Sequence, residues 1–364
     1  MISRVGPQQF VQGADAFEYL PKFVKNNGYD RVLFLHGVKS LNAAKPYLKG
    51  NMPDAHIKDV YFGGECSPEE IERVANIAKE DGTQLIIGLG GGKVLDTAKS
   101  VNHQLKLADI LIPTLASNCA PWSTLSVHYK PNHEHINHYI YDHGTDLMLM
   151  NPKVIMNSPI DYFVAGIGDT LAKFYESELM FDSAEKEGKM NTQLMISQQM
   201  DIDCRDILLN NSVQAVDDMQ HQRHTKAWQD VAEAIIVTAG TVGGWGDVYG
   251  RATAAHSVHD ALTIFPETEK FLHGTKVSYG ILVQLAFEHK DDELKELLEL
   301  YPKLNLPRKL EDLGFDQVDD DLIHKIATEV VSPDKMIHFL PIHIDEKMIF
   351  DAMKRLEEIA KVTD

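Results

Sequence analysis

Residues 85–99 constrain the fold of this chain more than any other stretch. The apolar run LIIGLG is followed by two further glycines and an amphipathic segment, which is typical of a strand, a tight turn and a helix. Glycines let a phosphate approach main-chain N–H groups, and the following helix directs its positive dipole end to the same place. Lys93 adds a charge there. The stretch indicates a phosphate-binding turn, with a plain glycine-rich turn as the alternative, because it matches neither G-x-G-x-x-G nor the P-loop pattern.

The composition limits the possible classes of function. With 364 residues the chain is long enough for about two domains. Its formal net charge of −19 argues against a nucleic-acid partner, which requires a basic surface. The N-terminus shows no apolar signal region, and no run approaches the roughly 18 apolar residues that span a bilayer. Cys66, Cys119 and Cys204 are scattered and imply no disulfide framework, so we expect a cytoplasmic protein without a membrane partner.

Strand and helix patterns alternate in the first part of the chain. Strand patterns occur at residues 30–37, 56–64, 85–90 and 109–114. Residues 40–49 are typical of a helix, and another helix begins after Ser67, where Glu70 completes a predicted capping box. This alternation predicts a doubly wound, Rossmann-like α/β sheet with parallel strands. Its ligands are expected at the carboxyl ends of the strands.

The pattern changes from residue 124 onward. Residues 124–141 alternate around a turn at residues 131–135, which predicts a β-hairpin. The hairpin period does not converge its histidines on one point, so we interpret them as solvated residues rather than a metal cluster: His133, His135, His138 and His143. Beyond Pro159 helical patterns dominate. We therefore predict an α/β domain over residues 1–158 and an all-α domain over residues 159–364.

Three short stretches of the helical part are rich in metal-binding residue types. They contain Asp169, the pair His256 and His259, and His273. His256 and His259 are three residues apart, so they can share one face of a helix. One carboxylate and two imidazoles form a set for a divalent metal that leaves positions open for a substrate. Spacing alone leaves the alternative that each histidine is a hydrogen-bonded structural residue.

Seven motifs in order resemble the iron-containing alcohol dehydrogenase superfamily, in its glycerol dehydrogenase-like branch, and extend over most of the chain. The motifs are FGGECS (62–67), GGGK (90–93) with DTAK (96–99), PT (113–114) with Ser117, LSV (125–127) with Tyr129, AGIGD (165–169), AAH (254–256) with His259, and HG (273–274) with KV (276–277). The resemblance implies a dehydroquinate synthase-like fold, in which a dinucleotide-binding domain and a helical metal-binding domain flank the active site. It also implies a homo-oligomer and a small-molecule substrate.

Matching positions imply roles for individual residues. Asp169, His256 and His273 would bind the divalent metal, Zn²⁺ or Fe²⁺, and His259 would be a proton relay or a plain neighbour that supports His256. Asp96 would lie near the carboxamide of NAD or NADP. The other residues implied to line this cofactor are Gly90, Gly91, Gly92, Lys93, Thr114, Ser117, Ser123, Leu125 and Tyr129. The metal would polarise a substrate carbonyl while the cofactor exchanges a hydride.

Three positions depart from the glycerol dehydrogenase pattern. Cys119 stands where that pattern has an aspartate that reaches polyol hydroxyls, which disfavours glycerol, with a core-packing thiol as the alternative. Gly37, followed by Lys39, stands where NAD-using members have an aspartate for the ribose, which favours NADP(H). Lys173 lies one helical turn after Asp169 and is either a cation for a substrate carboxylate or a charge partner for Asp169 or a neighbouring carboxylate.

The pair Cys119-Ala120 with Trp122, together with Lys173 and residues 268–276, resembles the narrower group of hydroxycarboxylate dehydrogenases. We therefore predict an oxidoreductase that interconverts a small 2-oxo acid and its 2-hydroxy acid with NAD(P)(H) and a metal. A dehydrogenase of glycerol or another small alcohol is the first alternative. A lyase of the dehydroquinate synthase type and a metal- and nucleotide-binding protein without catalysis are the others.

Overall fold

The structure, a computed structural model, describes residues 2–131 and 134–362. His133 of the predicted hairpin turn lies outside the described residues. The chain divides into two compact units, of which one comprises Arg4–Pro159 and the other comprises Ile160–Asp364 with Met1–Ser3. In the part of the chain that the structure describes, no helix has both the length and the apolar character needed to cross a membrane.

The first unit contains every strand found in the described residues. The strands are β1 (Gln9–Gln12), β2 (Arg31–His36), β3 (His56–Tyr61), β4 (Leu85–Gly90), β5 (Ala108–Pro113), β6 (Leu125–Tyr129), β7 (His135–Ile140) and β8 (Leu147–Met150). Six of them form one sheet in the order β1-β8-β5-β4-β2-β3, and all its neighbouring strands are parallel. The predicted parallel α/β sheet is confirmed.

Helices cover both faces of this sheet, as a parallel sheet requires. They are α1 (Tyr19–Asn26), α2 (Val38–Leu48), α3 (Pro68–Asp81), α4 (Gly92–Leu105) and the short α5 (Pro152–Met156). Successive residues of β2 alternate between the faces: Phe34 packs in a core with Leu20 and Ala44, whereas Leu35 packs in a core with Val74 and Ala98. The continuous apolar runs seen in the sequence are therefore strands that are buried on two sides.

The start of α3 corrects one prediction. Ser67 caps the helix as expected, because its Oγ accepts the N–H of Glu70 at 3.2 Å. The Glu70 carboxylate does not complete a capping box; it accepts the N–H of Gly63 at 2.7 Å and binds the guanidinium of Arg73. A charge-assisted bond to arginine is stronger than a bond to a neutral N–H group, and this explains the choice of partner.

The predicted hairpin is present as the antiparallel pair β6 and β7, with an irregularity between His128 and Tyr129. His135, His138 and His143 are exposed. Among the described residues, one group of three or more His, Cys, Asp or Glu side chains is close enough to hold a metal ion. It contains none of these histidines. Their interpretation as solvated residues is consistent with this result.

The second unit is helical. Its helices are α6 (Ile160–Lys186), α7 (Thr192–Gln220), α8 (Lys226–Glu233), α9 (Ala239–Gly246), α10 (Ala254–Leu262), α11 (His273–Phe287), α12 (Asp291–Leu304), α13 (Asp320–Val330) and α14 (Glu346–Val362). A π-helical segment, Ala234–Thr238, joins α8 to α9 without a break. Helix α11 packs extensively against α6 and against α10. These three helices contain the candidate site residues of this unit. The all-α character predicted beyond residue 159 is confirmed.

Candidate functional site

The carboxyl ends of β2, β4 and β5 lie side by side in the sheet. Register pairs His36 of β2 with Leu89 of β4, and Gly90 of β4 with Pro113 of β5. The chain leaves β2 toward β3 and leaves β4 toward β5, which lie on opposite sides of this strand pair. Such a reversal of strand order is the usual place for a ligand crevice in an open α/β sheet. We call this place the sheet edge, and it is formed by Gly37, Gly90–Lys93 and Thr114.

Close packing explains the glycines at the sheet edge. A Cβ atom on Gly90 would lie 2.7 Å from Cγ2 of Val94, and one on Gly91 would lie 2.8 Å from Cδ1 of Leu115. Neither glycine has a φ in the left-handed region, and Gly91 is the N-cap of α4 with a φ of −83°. These glycines therefore provide space rather than an unusual turn. The first N–H groups of α4 are left without a side-chain cap, which is the arrangement that accepts a phosphate.

Lys93, in the first turn of α4, already has an anionic partner. Its Nζ lies 2.5 Å from Oε2 of Glu65, a residue that the sequence analysis did not single out. The same ammonium group lies 5.4 Å from the centre of the Tyr129 ring. Lys93 of the GGGK motif thus contacts the FGGECS motif through Glu65 and the LSV motif through Tyr129. The carboxylate of Glu65 offsets part of the positive charge that Lys93 brings to the sheet edge.

Asp96 is buried and engaged by its own unit. Its Oδ2 accepts the N–H of Val127 at 3.1 Å, and its Oδ1 lies 2.8 Å from Nζ of Lys99. Lys99 also donates to the carbonyl oxygens of Ala120, at 2.8 Å, and Ser123, at 3.2 Å. The aspartate and the lysine therefore fasten the loop before β6 to helix α4. The predicted contact of Asp96 with a nicotinamide carboxamide stays a prediction.

Other residues of this unit that are predicted to bind cofactor or substrate follow β5 or lie on β6. Thr114 follows β5, and its N–H donates to the carbonyl oxygen of Gly90 at 3.0 Å. Partly buried positions are found in the loop after β5 and along β6, at Ser117, Cys119, Ser123, Leu125 and Tyr129. The loop that Lys99 fastens thus carries several of the predicted contacts.

Gly37 is the N-cap of α2, and Lys39 is exposed in the first turn of that helix. The Ser40 hydroxyl accepts the N–H of Gly37 at 3.0 Å and donates to the carbonyl oxygen of Leu89 at 2.9 Å. This hydroxyl fixes the start of α2 against the end of β4. Lys39 therefore lies on an element that is anchored to the glycine turn.

Three helices of the second unit bring together Asp169 from α6, His256 from α10 and His273 from α11. One ligand atom from each lies within 4.8 Å of the other two. Oδ1 of Asp169 is 3.4 Å from Nε2 of His256 and 3.2 Å from Nε2 of His273. We call these residues the triad.

Glycines again explain how the triad forms. A Cβ atom on Gly274 would lie 1.8 Å from the carbonyl oxygen of Ala165, and one on Gly168 would lie 2.6 Å from the carbonyl oxygen of Gly274. Helices α6 and α11 therefore touch backbone to backbone at the motifs AGIGD and HG. This close approach sets Asp169 beside His273, each of which is next to one of these glycines in sequence.

Nδ1 of each triad histidine contacts a residue for which the sequence did not predict this contact. Nδ1 of His256 lies 2.7 Å from Oε2 of the buried Glu176. Nδ1 of His273 lies 2.9 Å from Nε2 of His259, whose own Nδ1 lies 3.0 Å from Oδ1 of Asp260. His259 was expected beside His256, but its hydrogen-bond partner in the triad is His273. Glu176 and Asp260 are new to the site.

These partners assign a proton to each Nδ1. Carboxylates accept only, so His256 donates to Glu176 and His259 donates to Asp260. Nε2 of His259 must then accept the Nδ1–H of His273. In this arrangement Nε2 is the nitrogen of each triad histidine that is left for a metal ion, and both Nε2 atoms face Asp169.

The charges around the triad shift the pKa values of its members strongly. Burial opposes ionisation of Asp169, yet the two adjacent imidazoles, His256 and His273, bring its pKa well below the usual range. Burial likewise disfavours charge on His256, but Glu176 and Asp169 outweigh it and raise its pKa to about 10. Burial and the adjacent His273 lower the pKa of His259 to about 3, so this ring is neutral. The centre of the triad therefore attracts positive charge.

The triad fits a divalent cation. Oδ1 of Asp169 is fully buried and has no hydrogen-bond partner, which is costly for a carboxylate oxygen. Two imidazole nitrogens and one carboxylate oxygen that face a common point match the ligand preferences of Zn²⁺ and Fe²⁺. A cation between these three atoms would satisfy all of them.

Lys173 lies on α6 and is partly buried. Its charge acts on the buried Asp201 of α7 and opposes the effect of burial, which raises the pKa of that carboxyl to about 7. This favours the interpretation of Lys173 as a charge partner of a neighbouring carboxylate. Its proposed contact with a substrate carboxylate stays a prediction.

Comparison with known proteins adds the following matches. A family model described as iron-containing alcohol dehydrogenase matches residues 7–152. Hydroxycarboxylate dehydrogenase A of Escherichia coli K12 is 37% identical over 97% of this chain and 96% of its own. Glycerol dehydrogenase of Thermotoga maritima is 30% identical over 98% of this chain and 97% of its own. The crystal structure of a probable glycerol dehydrogenase from Sinorhizobium meliloti 1021 superposes with a TM-score of 0.88 at 27% identity and covers 99% of both chains.

Proposed function

The chain belongs to the iron-containing alcohol dehydrogenase family and is an oxidoreductase that acts on CH–OH groups, and on that premise we propose its cofactors and substrate. The proposed reaction is the interconversion of a small 2-oxo acid and its 2-hydroxy acid, with NAD(P)(H) as hydride carrier and one divalent metal. The observation that carries the proposal is the triad, in which one buried carboxylate oxygen and two imidazole nitrogens face one another within 4.8 Å.

The triad is proposed to hold the metal. When bound, a divalent metal there would supply Lewis-acid stabilisation of negative charge on the substrate oxygen. The protein's part is to present Asp169 as an anion and to engage Nδ1 of both histidines, through Glu176 and through His259, so that Nε2 is left for the metal. Both Zn²⁺ and Fe²⁺ suit this ligand set.

The sheet edge is proposed to bind the dinucleotide. The uncapped N-terminus of α4 and the lack of side chains at Gly90 and Gly91 favour a pyrophosphate at this place. NADP(H) is proposed as the preferred form, because Gly37 presents no carboxylate and Lys39 is exposed in the first turn of α2. The ammonium group of Lys39 and the positive end of the α2 helix dipole would both attract a 2′-phosphate.

The proposed substrate class depends on residues near the sheet edge and on the relatives. Cys119 offers no strong acceptor for a diol. A relative that is 37% identical over nearly the whole chain bears the name hydroxycarboxylate dehydrogenase A. Several glycerol dehydrogenases are also similar over nearly the whole chain, so oxidation of glycerol or another small alcohol is the second candidate.

A substrate panel tests the proposal. Reduction of 2-oxo acids and aldehydes, and oxidation of 2-hydroxy acids and glycerol, would be assayed with each nicotinamide cofactor and with added Zn²⁺ or Fe²⁺. We expect the highest kcat/KM with a 2-oxo acid and NADPH, and loss of activity after chelation of the metal. A higher kcat/KM for glycerol than for every 2-hydroxy acid would favour the second candidate. A tenfold better kcat/KM with NADH would overturn the proposed cofactor preference.

A further inference from the structure

Glu176 contacts both a triad histidine and the backbone beside that histidine. We propose that Glu176 is a positioning residue for the metal, which fixes the tautomer and orientation of His256 while it caps helix α10. This inference rests on the proposed metal dependence and adds a residue that the matched motifs do not include.

The contacts of Glu176 are divided between its two carboxylate oxygens. Oε1 accepts the N–H of Thr253 at 2.7 Å and the N–H of His256 at 2.9 Å. Oε2 lies 2.7 Å from Nδ1 of His256. The side chain is 1% exposed, so water does not compete for these bonds. A single carboxylate therefore binds the backbone and the ring of the same ligand residue.

The first turn of α10 depends on this carboxylate. Thr253, at the N-cap position, gives no side-chain hydrogen bond to the helix. The N–H groups of a helix start need an acceptor, and here it comes from α6, seven residues beyond Asp169. Residues seven apart lie two turns apart on one face of a helix. Helix α6 therefore presents the proposed metal ligand Asp169 and the capping residue Glu176 on the same side.

The ring contact has a chemical consequence. As long as Oε2 accepts from Nδ1–H, the nitrogen of His256 that is left to bind a metal is Nε2, which faces Asp169. If a hydrogen-bond donor stood in place of Oε2, Nδ1 would have to accept, and Nε2 would carry the proton. A proton on Nε2 occupies the lone pair that a metal needs.

The variant Glu176→Gln separates the two roles. The amide oxygen can still accept the N–H groups of Thr253 and His256, whereas the amide nitrogen presents a donor to Nδ1. Glu176→Ala removes both roles. Glu178→Gln is the matched control, because Glu178 lies on the same helix and pairs with Lys290 rather than with the triad.

The measurements are the Co²⁺ affinity, by competition with a chelator, and amide hydrogen exchange at the start of α10 in the metal-free protein. For Glu176→Gln we expect a 10- to 100-fold weaker affinity, the effect typical of a lost carboxylate partner of a metal-binding histidine, with parental amide protection. Glu176→Ala should lose both. Glu178→Gln should keep both.

Each other result has a distinct meaning. Parental Co²⁺ affinity in Glu176→Gln would overturn the inference while leaving the proposed function intact. Loss of affinity together with loss of amide protection in that variant would also overturn it, because the carboxylate would then act as a cap alone. No binding of Co²⁺ by the parent protein would overturn the proposed metal dependence and the inference with it.

Discussion

The sheet edge offers main-chain groups to a ligand, whereas the triad offers side-chain atoms. At the sheet edge, Gly90 and Gly91 serve by lacking side chains, and the N–H groups of α4 are the candidate ligand contacts. At the triad, each histidine depends on a further residue for its tautomer, Glu176 for His256 and His259 for His273. Different substitutions should therefore impair the two regions. Adding a side chain should weaken nucleotide binding at the sheet edge, whereas exchanging a single atom should weaken metal binding at the triad.

The largest effect is expected from Asp169→Asn, which exchanges one carboxylate oxygen for an amide nitrogen and removes the charge. A metal that stabilises the transition state by several kcal/mol accounts for at least about a thousandfold in rate. We expect kcat/KM to fall by this amount and Co²⁺ affinity to fall with it. The dissociation constant for NADPH, measured by fluorescence titration, should not change, because the proposed nucleotide contacts are residues of the α/β unit. A loss of nucleotide affinity in this variant would contradict the distinct roles proposed for the two regions.

A smaller effect is expected from one buried carboxyl group in each unit. Burial and the charge of Asp146 raise the pKa of Asp109 to about 6, and burial raises the pKa of Asp201 to about 7. Both folded-state values exceed the unfolded value of about 4, so the folded protein binds these protons more tightly. The contribution of these two groups to the free energy of unfolding should therefore be largest below pH 4 and should fall, by on the order of 3 kcal/mol for each group, as the pH rises to 6 or 7.

Asn substitutions and urea unfolding between pH 4 and 8 check this pH dependence. Asp109→Asn can still accept the N–H of Asp146, as Asp109 does at 2.9 Å, so it should remove the pH 4–6 part of the decline. Asp201→Asn should remove the part of the decline in the free energy of unfolding that extends to pH 7. If the decline persists unchanged in both variants, these two carboxyl groups are not its source.

The smallest effect is expected from Gly90→Ala. The added Cβ would lie 2.7 Å from Cγ2 and 2.8 Å from Cβ of Val94, so the first turn of α4 must shift. Overpacking of this kind costs about 1–3 kcal/mol, and we expect the dissociation constant for NADPH to rise about tenfold with unchanged Co²⁺ affinity. Gly243→Ala is the control, because its Cβ would meet only the carbonyl oxygen of Gly250 at 3.6 Å. Equal loss of nucleotide affinity in the control would contradict the packing argument.

The parallel sheet was predictable because its main strands carry local signals. The runs around β2, β4 and β5 are mostly apolar, and those of β2 and β4 are followed by helix starts; these features are visible without tertiary contacts. The strands β1 and β8 were not predicted. Each has four residues, and β1 pairs with β8 alone, so its strand character depends on a partner far along the chain.

The sequence pointed to the residues of the triad but not to what surrounds them. Asp169, His256 and His273 stand in short stretches rich in metal-binding residue types, and the structure brings them together. The seven-residue spacing from Asp169 was the one signal for Glu176, and such a spacing is common in helices. The partner of His259 depends on ring orientation, which spacing does not report. The crowding at Gly90 likewise depends on where Val94 packs.

The pairing of β1 with β8 has a consequence for the order of events during synthesis. The first strand leaves the ribosome early, but its partner Leu147–Met150 is made only after the other strands of the sheet. At typical translation rates this delay is on the order of ten seconds, during which the edge of β1 stays open to other strands. The α/β unit completes its sheet at about residue 150, before any residue of the triad has been translated.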